Sequence, residues 1–188
     1  MISPLFRSAL AACAAAILFA GSMQPAAADS EVQRGKYLVT LGGCSDCHTP
    51  GNFLGHPDMK RFLGGSDVGF AIPGHGVFVG RNLTPDPETG LGKWTRAQIV
   101  TALTTGVRPD GRILAPIMPY RDFAHLTKAD ANAIAAYLKS LPAVKHAVPG
   151  PFGPSETPTV FVMTVVPGEV YAKMPKPPAP PPGGSAGK

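Results

Sequence analysis

The sequence predicts an all-α domain carrying a Pro/Gly-rich C-terminal extension. Three observations lead there. Apolar residues recur at helical spacing in three segments, around 30–41, 94–106 and 126–142. The segments between them are dominated by glycine, proline and turn residues. Past Pro142 the composition changes to a linker, one β-branched run and a proline-rich tail.

Taken in order, residues 1–28 have the layout of a cleaved secretory signal peptide. Arg7 precedes the apolar run ALAACAAAILFAG, and SMQPAAA ends in small residues at Ala26 and Ala28. The run is short for a bilayer span, which needs about 20 residues. The expectation is export to the periplasm, through the inner membrane of a Gram-negative bacterium, with no transmembrane span in the mature chain. Cys13 resembles a lipidation site in its LAAC context, but apolar residues continue after it, so it is expected to leave with the leader.

The core domain is expected over residues 29–142. Its first helix has Ser30 as candidate cap and Val32, Leu38, Val39 and Leu41 as its apolar set, and Gly42-Gly43 stops it. Gly35 inside this helix lowers its intrinsic stability, which is tolerated where another helix passes close. CSDCHT follows, then a glycine-rich stretch to residue 80 without a long periodic pattern. NLTPDPETGLG, residues 82–92, is turn chemistry. Thr95 caps a second helix that turns Ile99, Val100 and Leu103 inward and ends at Gly106. RPDGRILAPIMPYRDF reads as a loop in which Pro116 and Pro119 bracket Met118. The last helix is capped by Thr127, presents Ile134, Tyr137, Leu138 and Leu141, and closes at Pro142. Residues 143–188 form the extension, extended or partly disordered, with TVFVMTVVPGEVY suiting one strand.

Charge excludes some function classes. The chain carries +5, or +4 without the leader's Arg7, and its basic residues are spread along the sequence. Nucleic-acid binding wants a patch or stripe, so no nucleic-acid partner is expected. The mature chain retains two cysteines, Cys44 and Cys47. A disulfide across two intervening residues closes too small a loop to stabilise much, which leaves a redox-active dithiol or a cofactor attachment.

His48 after Cys47 decides between them. C-x-x-C-H marks covalent attachment of a c-type haem. The thiols of Cys44 and Cys47 add to the two vinyl groups as thioethers, and His48 binds iron as the proximal ligand. The rival dithiol would need a βαβ context, which the sequence lacks. A second axial ligand is often methionine. The candidates are Met59, Met118, Met163 and Met174, with His56, His75, His125 and His146. Met118 has the best setting, held between rigid prolines 70 residues past His48. His56 and His75 are the next candidates.

RGKYLVTLGGCSDCHT, NLTPDPETGLGKWT and RILAPIMPYRDFAHLTKADANAIAAYLKSLP together resemble the class I c-type cytochrome family over roughly residues 31–142. They look most like cytochrome c subunits of bacterial periplasmic dehydrogenases. The resemblance implies the class I cytochrome c fold, in which first and last helices cross near the haem. Gly35 and Tyr37, with Ala133 and Tyr137, match that crossing. It implies His48 as proximal and Met118 as distal ligand, with Trp94 and Arg81 facing either the propionates or solvent. It implies one covalent iron-bearing haem c in this single-motif chain. The function expected is single-electron transport without catalysis of its own. Electrons would pass from a periplasmic dehydrogenase subunit to a downstream cytochrome or oxidase of the respiratory chain. A haem enzyme such as a peroxidase, or a haem-based sensor, is the alternative, and needs an open sixth position on the iron.

Overall fold

The computed structural model describes residues 24–175. The expectations for Cys13, for most of the leader and for the proline-rich end of the tail concern residues 1–23 and 176–188, outside the described residues.

Helix α1, Gln24–Leu41, starts ahead of Ser30, which therefore lies within the helix instead of capping it. Residues 24–28 of this helix belong to the expected leader, so Ser30 is internal in the chain that retains them. Gly42 ends the helix by bonding to the Leu38 carbonyl, and Gly43 follows in the left-handed region at φ 61°. A single-turn helix α2, Cys44–His48, begins immediately. Two 3₁₀ turns, Asn52–Leu54 and Met59–Arg61, lead to strands β1, Val68–Ile72, and β2, Gly76–Val79. Helix α3, Arg96–Thr105, opens with a reciprocal capping box between Thr95 and Gln98 and closes at Gly106, φ 77°. A short α4, Tyr120–Phe123, precedes α5, Lys128–Ser140, whose cap Thr127 accepts from the Asp130 amide.

Helices α1, α3 and α5 enclose the core. Val39, Leu63, Leu91, Ile99, Ile134, Ala135, Tyr137 and Leu138 pack together there. Gly35 is buried where α1 crosses α5. A Cβ on it would lie 2.0 Å from the Ala133 carbonyl oxygen and 2.7 Å from Tyr137 Cβ. The glycine's cost in helix stability is thus offset by the close approach of two backbones.

The all-α expectation needs correction. A three-stranded sheet of order β2-β1-β3 accompanies the helices. β1 and β2 are antiparallel, with Phe70 opposite Phe78. β3, Phe161–Met163, lies parallel to β1, with Gly69 opposite Val162. Each strand is five residues or fewer, too short for a two-residue period to stand out in a glycine-rich stretch. Pairing of β3 with β1 joins segments some 90 residues apart, which no local pattern encodes.

Residues 143–152 run over the core as a strap. The Val144 carbonyl accepts from Asn82 Nδ2 at 2.7 Å, and the Val144 amide donates to Thr84 Oγ1 at 3.0 Å. Phe152 exchanges both backbone hydrogen bonds with Val77 at 2.9 Å. Val148 is buried. A final helix α6, Gly168–Lys173, exposes Val170 and Tyr171. No helix among the described residues is long and apolar enough to cross a membrane.

Candidate haem-attachment site

The glycine pair that ends α1 turns the chain so that α2 presents Cys44, Cys47 and His48 on one short helical turn. Both cysteines are partly buried and unpaired. Burial pushes the Cys44 thiol up to about 11, and burial together with the Asp46 carboxylate raises Cys47. A redox-active dithiol works through a lowered thiol pKa, so this environment disfavours that rival.

His48 is the most constrained residue of the turn. Its ring is buried, which lowers its proton affinity and keeps the imidazole neutral. Nδ1 lies 2.7 Å from the Arg81 carbonyl oxygen. A carbonyl can only accept, so Nδ1 carries the proton and Nε2 is left with its lone pair. The His48 carbonyl in turn accepts from the Gly65 amide at 2.8 Å. Thr49, almost fully buried, receives hydrogen bonds from the Leu63 amide and the Ser45 hydroxyl, both at 3.0 Å. Gly80 sits directly on this turn. A Cβ there would come within 1.7 Å of the Cys47 carbonyl oxygen and 3.3 Å of His48 Nδ1.

Met118 lies in a turn whose amide bonds back to Ala115 at 2.9 Å, just ahead of α4. It is half-buried, whereas Met59, Met163 and Met174 are exposed. The neighbouring Ile113 and Ile117 are 61% and 50% exposed, apolar surface of the kind a macrocycle would cover. The segment after Met118 returns to the attachment turn. Phe123 Cε1 and Cys44 Sγ are each 3.8 Å from the position a Cβ on Gly42 would take. His56, His75 and His125 are exposed, and His75 Nδ1 lies 3.0 Å from the carbonyl of Pro73 in its own turn. His146 is committed to the strap, with Nδ1 2.7 Å from the Gly64 carbonyl and Nε2 3.4 Å from Arg61.

Trp94 packs half-buried against the core, its carbonyl accepting from Lys139 Nζ at 3.1 Å. The Arg108 guanidinium lies over its ring at 5.9 Å. Arg108 Nε is buried without a hydrogen-bond partner among the described residues. Arg81 binds the strap through its guanidinium, a role the sequence did not expose. The Arg108 and Arg112 charges, after burial, lower its proton affinity. Basic residues scattered along the sequence therefore gather in space, with Asp110 as the carboxylate bound to both Arg108 and Arg112. Sequence reading passed over Arg108, because an arginine in a Pro-Asp-Gly turn carries no local signal of burial.

These residues fit a covalent haem c. Two thiols and an imidazole whose Nε2 keeps its lone pair share one turn, the donor set that thioether attachment and axial ligation need.

Residues 32–142 match the family model described as Cytochrome c. The chain is 37% identical over 113 residues to the cytochrome c subunit of the quinone alcohol dehydrogenase of Gluconacetobacter polyoxogenes, covering 60% of this chain and 22% of that protein. It is 36% identical over 114 residues to the fructose dehydrogenase cytochrome subunit of Gluconobacter japonicus, covering 58% and 22%. To a diheme c-type cytochrome of Cereibacter sphaeroides it is 33% identical over 112 residues, covering 60% and 36%. The chain thus spans between about a fifth and a third of these relatives. With the attachment motif and the helix crossing both inside the matched region, the chain belongs to the cytochrome c family.

Proposed function

We propose that this protein carries one haem c on Cys44, Cys47 and His48, with Met118 as the distal ligand, and serves as an electron-transfer protein without catalysis of its own. The observation that carries this reading is the buried His48 ring, whose Nδ1 proton is held by the Arg81 carbonyl so that Nε2 is free to ligate. When bound, the haem supplies reversible one-electron chemistry at its iron. The chain's own residues set the conditions. Cys44 and Cys47 anchor the edge of the group, and His48 is oriented before any ligation. Met118 would complete the axial set, and a thioether ligand favours the reduced state. An iron with both axial ligands from the protein has no open position, which favours electron transfer over peroxidase or sensor chemistry.

A single C-x-x-C-H motif supports one haem in this chain, although one relative is a diheme protein. Relatives named as dehydrogenase cytochrome subunits support a dehydrogenase as electron donor, with a downstream cytochrome or oxidase as acceptor. The leader supports a periplasmic site of action, with a core domain from 29 to 142 and its C-terminal extension. Denaturing electrophoresis followed by haem-peroxidase staining should give a stained band, and iron analysis one iron per chain. Complete loss of the stain on denaturation would refute covalent attachment, and two irons per chain would refute the single site. Co-purification with a dehydrogenase tests the partner.

A further inference from the structure

We infer that the strap controls the proximal ligand, and that Arg81 is the positioning residue through which it acts on His48. The inference rests on the reading of His48 as an iron ligand. His48 has two hydrogen-bonded partners on other segments of the chain. Its ring Nδ1 donates to the Arg81 carbonyl at 2.7 Å, and its own carbonyl accepts from the Gly65 amide at 2.8 Å. The strap backs both. Arg81 Nη1 donates to the carbonyls of Val148, Pro149 and Gly150 at 2.9, 3.1 and 2.9 Å. Val148, 7% exposed, packs on Gly65 so closely that a Cβ there would lie 2.1 Å from Val148 Cγ2.

The strap is itself tied down on both sides of this contact. Asn82, Thr84 and His146 fix residues 144–146, and the Val77–Phe152 bridge fixes residue 152. The guanidinium clamp therefore joins a fixed strap to the peptide that accepts the His48 proton. A well-held acceptor on Nδ1 makes the imidazole a stronger donor to a metal and favours the oxidised state. Unseating the strap lets Arg81 drift, weakens that hydrogen bond, exposes the Nδ1 proton to solvent and raises the potential. A segment outside the matched region 32–142 thereby tunes the redox site, and a partner that docked on the strap would shift the potential by the same route.

The test uses the full-length haem-loaded protein. Exchange of the His48 Nδ1 proton is followed by NMR in the reduced state, beside the midpoint potential. Val148→Ser retains every charge and unseats the strap. Arg81→Met removes the clamp, and Arg81→Lys returns ammonium donors to the three carbonyls. Phe161→Ser disturbs β3 alone and serves as the control. Val148→Ser and Arg81→Met should each accelerate His48 proton exchange by about tenfold or more, while α5 amides keep their rates. Val148→Ser should also raise the potential, Arg81→Lys should restore slow exchange in large part, and Phe161→Ser should change neither reading. Unchanged exchange in Arg81→Met overturns the inference, as does acceleration of α5 amides in step with His48, which marks a general loss of stability. Wild-type protein whose His48 ring shows no signature of iron ligation overturns the haem assignment and this inference together. Native ligation with unresponsive exchange overturns this inference alone.

Discussion

A histidine becomes a metal ligand through what its other nitrogen does. At His48 the Arg81 carbonyl accepts a hydrogen bond from Nδ1–H, and burial disfavours the charged ring. Gly80 is the residue that allows this approach, since any side chain would strike the Cys47 carbonyl at 1.7 Å. Gly80→Ala should therefore displace the 80–81 peptide and weaken the His48 hydrogen bond. We expect lower haem incorporation, measured as the ratio of Soret to protein absorbance, whereas Gly74→Ala in the open β1–β2 turn should leave the ratio unchanged. Met118, the proposed distal ligand, is the second residue on which the proposed function depends. Met118→Ala should erase the weak red-edge band of iron–thioether bonding, lower the potential and admit cyanide or carbon monoxide. Met59→Ala should do none of this, as its side chain is 62% exposed. Retention of the band in Met118→Ala would move the distal assignment to another methionine, and absence of the band from the wild type would move it to His56 or His75.

Among the elements, the crossing of α1 and α5 shows two opposed effects that can be weighed. Gly35→Ala improves helix propensity by about 1 kcal/mol. It also drives a methyl to 2.0 Å from the Ala133 carbonyl, and backbone on both sides leaves little room to yield. Overpacking of this kind costs roughly 1–3 kcal/mol, and the severity of the overlap points to the upper end. The melting temperature should fall, and a rise would show that the helices can separate freely. Thr127→Ala is a milder change at the start of α5. It removes the hydroxyl that accepts from the Asp130 amide and should cost about 1 kcal/mol in chemical denaturation.

Across the whole molecule, the turn that receives the strap depends on a carboxylate. Asp86 Oδ1 accepts from the Thr89 hydroxyl and from the amides of Thr89 and Glu88. These bonds, the Thr89 hydroxyl foremost, hold its pKa below the ordinary 3.8. Asn82 and His146 both bond to Thr89, so the turn, the strap and the core meet there. A depressed folded pKa contributes stability that is complete above the unfolded value and lost as pH falls through the folded one. The melting temperature of the wild type should thus exceed that of Asp86→Ala by a constant margin above about pH 5, narrowing below about pH 4. A margin that persists undiminished at the lowest pH would show that the charge contributes nothing. Asp58, Asp110 and Asp130, each paired with an arginine, share the direction of shift and belong to the same acid limb.

The chain's own order of residues determined the three core helices, their stops at Gly42-Gly43, Gly106 and Pro142, and the attachment motif, because caps, breakers and a five-residue motif are local chemistry. Gly35 was legible too, as a glycine that makes sense in a helix only where another backbone passes. Tertiary structure alone decided the rest. The sheet pairs β1 with a strand from the extension, and the strap lies against the His48 support, both across separations that no window of sequence spans. Arg81 and Arg108 drew their roles from the same source. An arginine's burial and partners depend on which distant carbonyls and rings the fold brings beside it, so the guanidinium clamp and the orphaned Nε exist only once the chain has closed on itself.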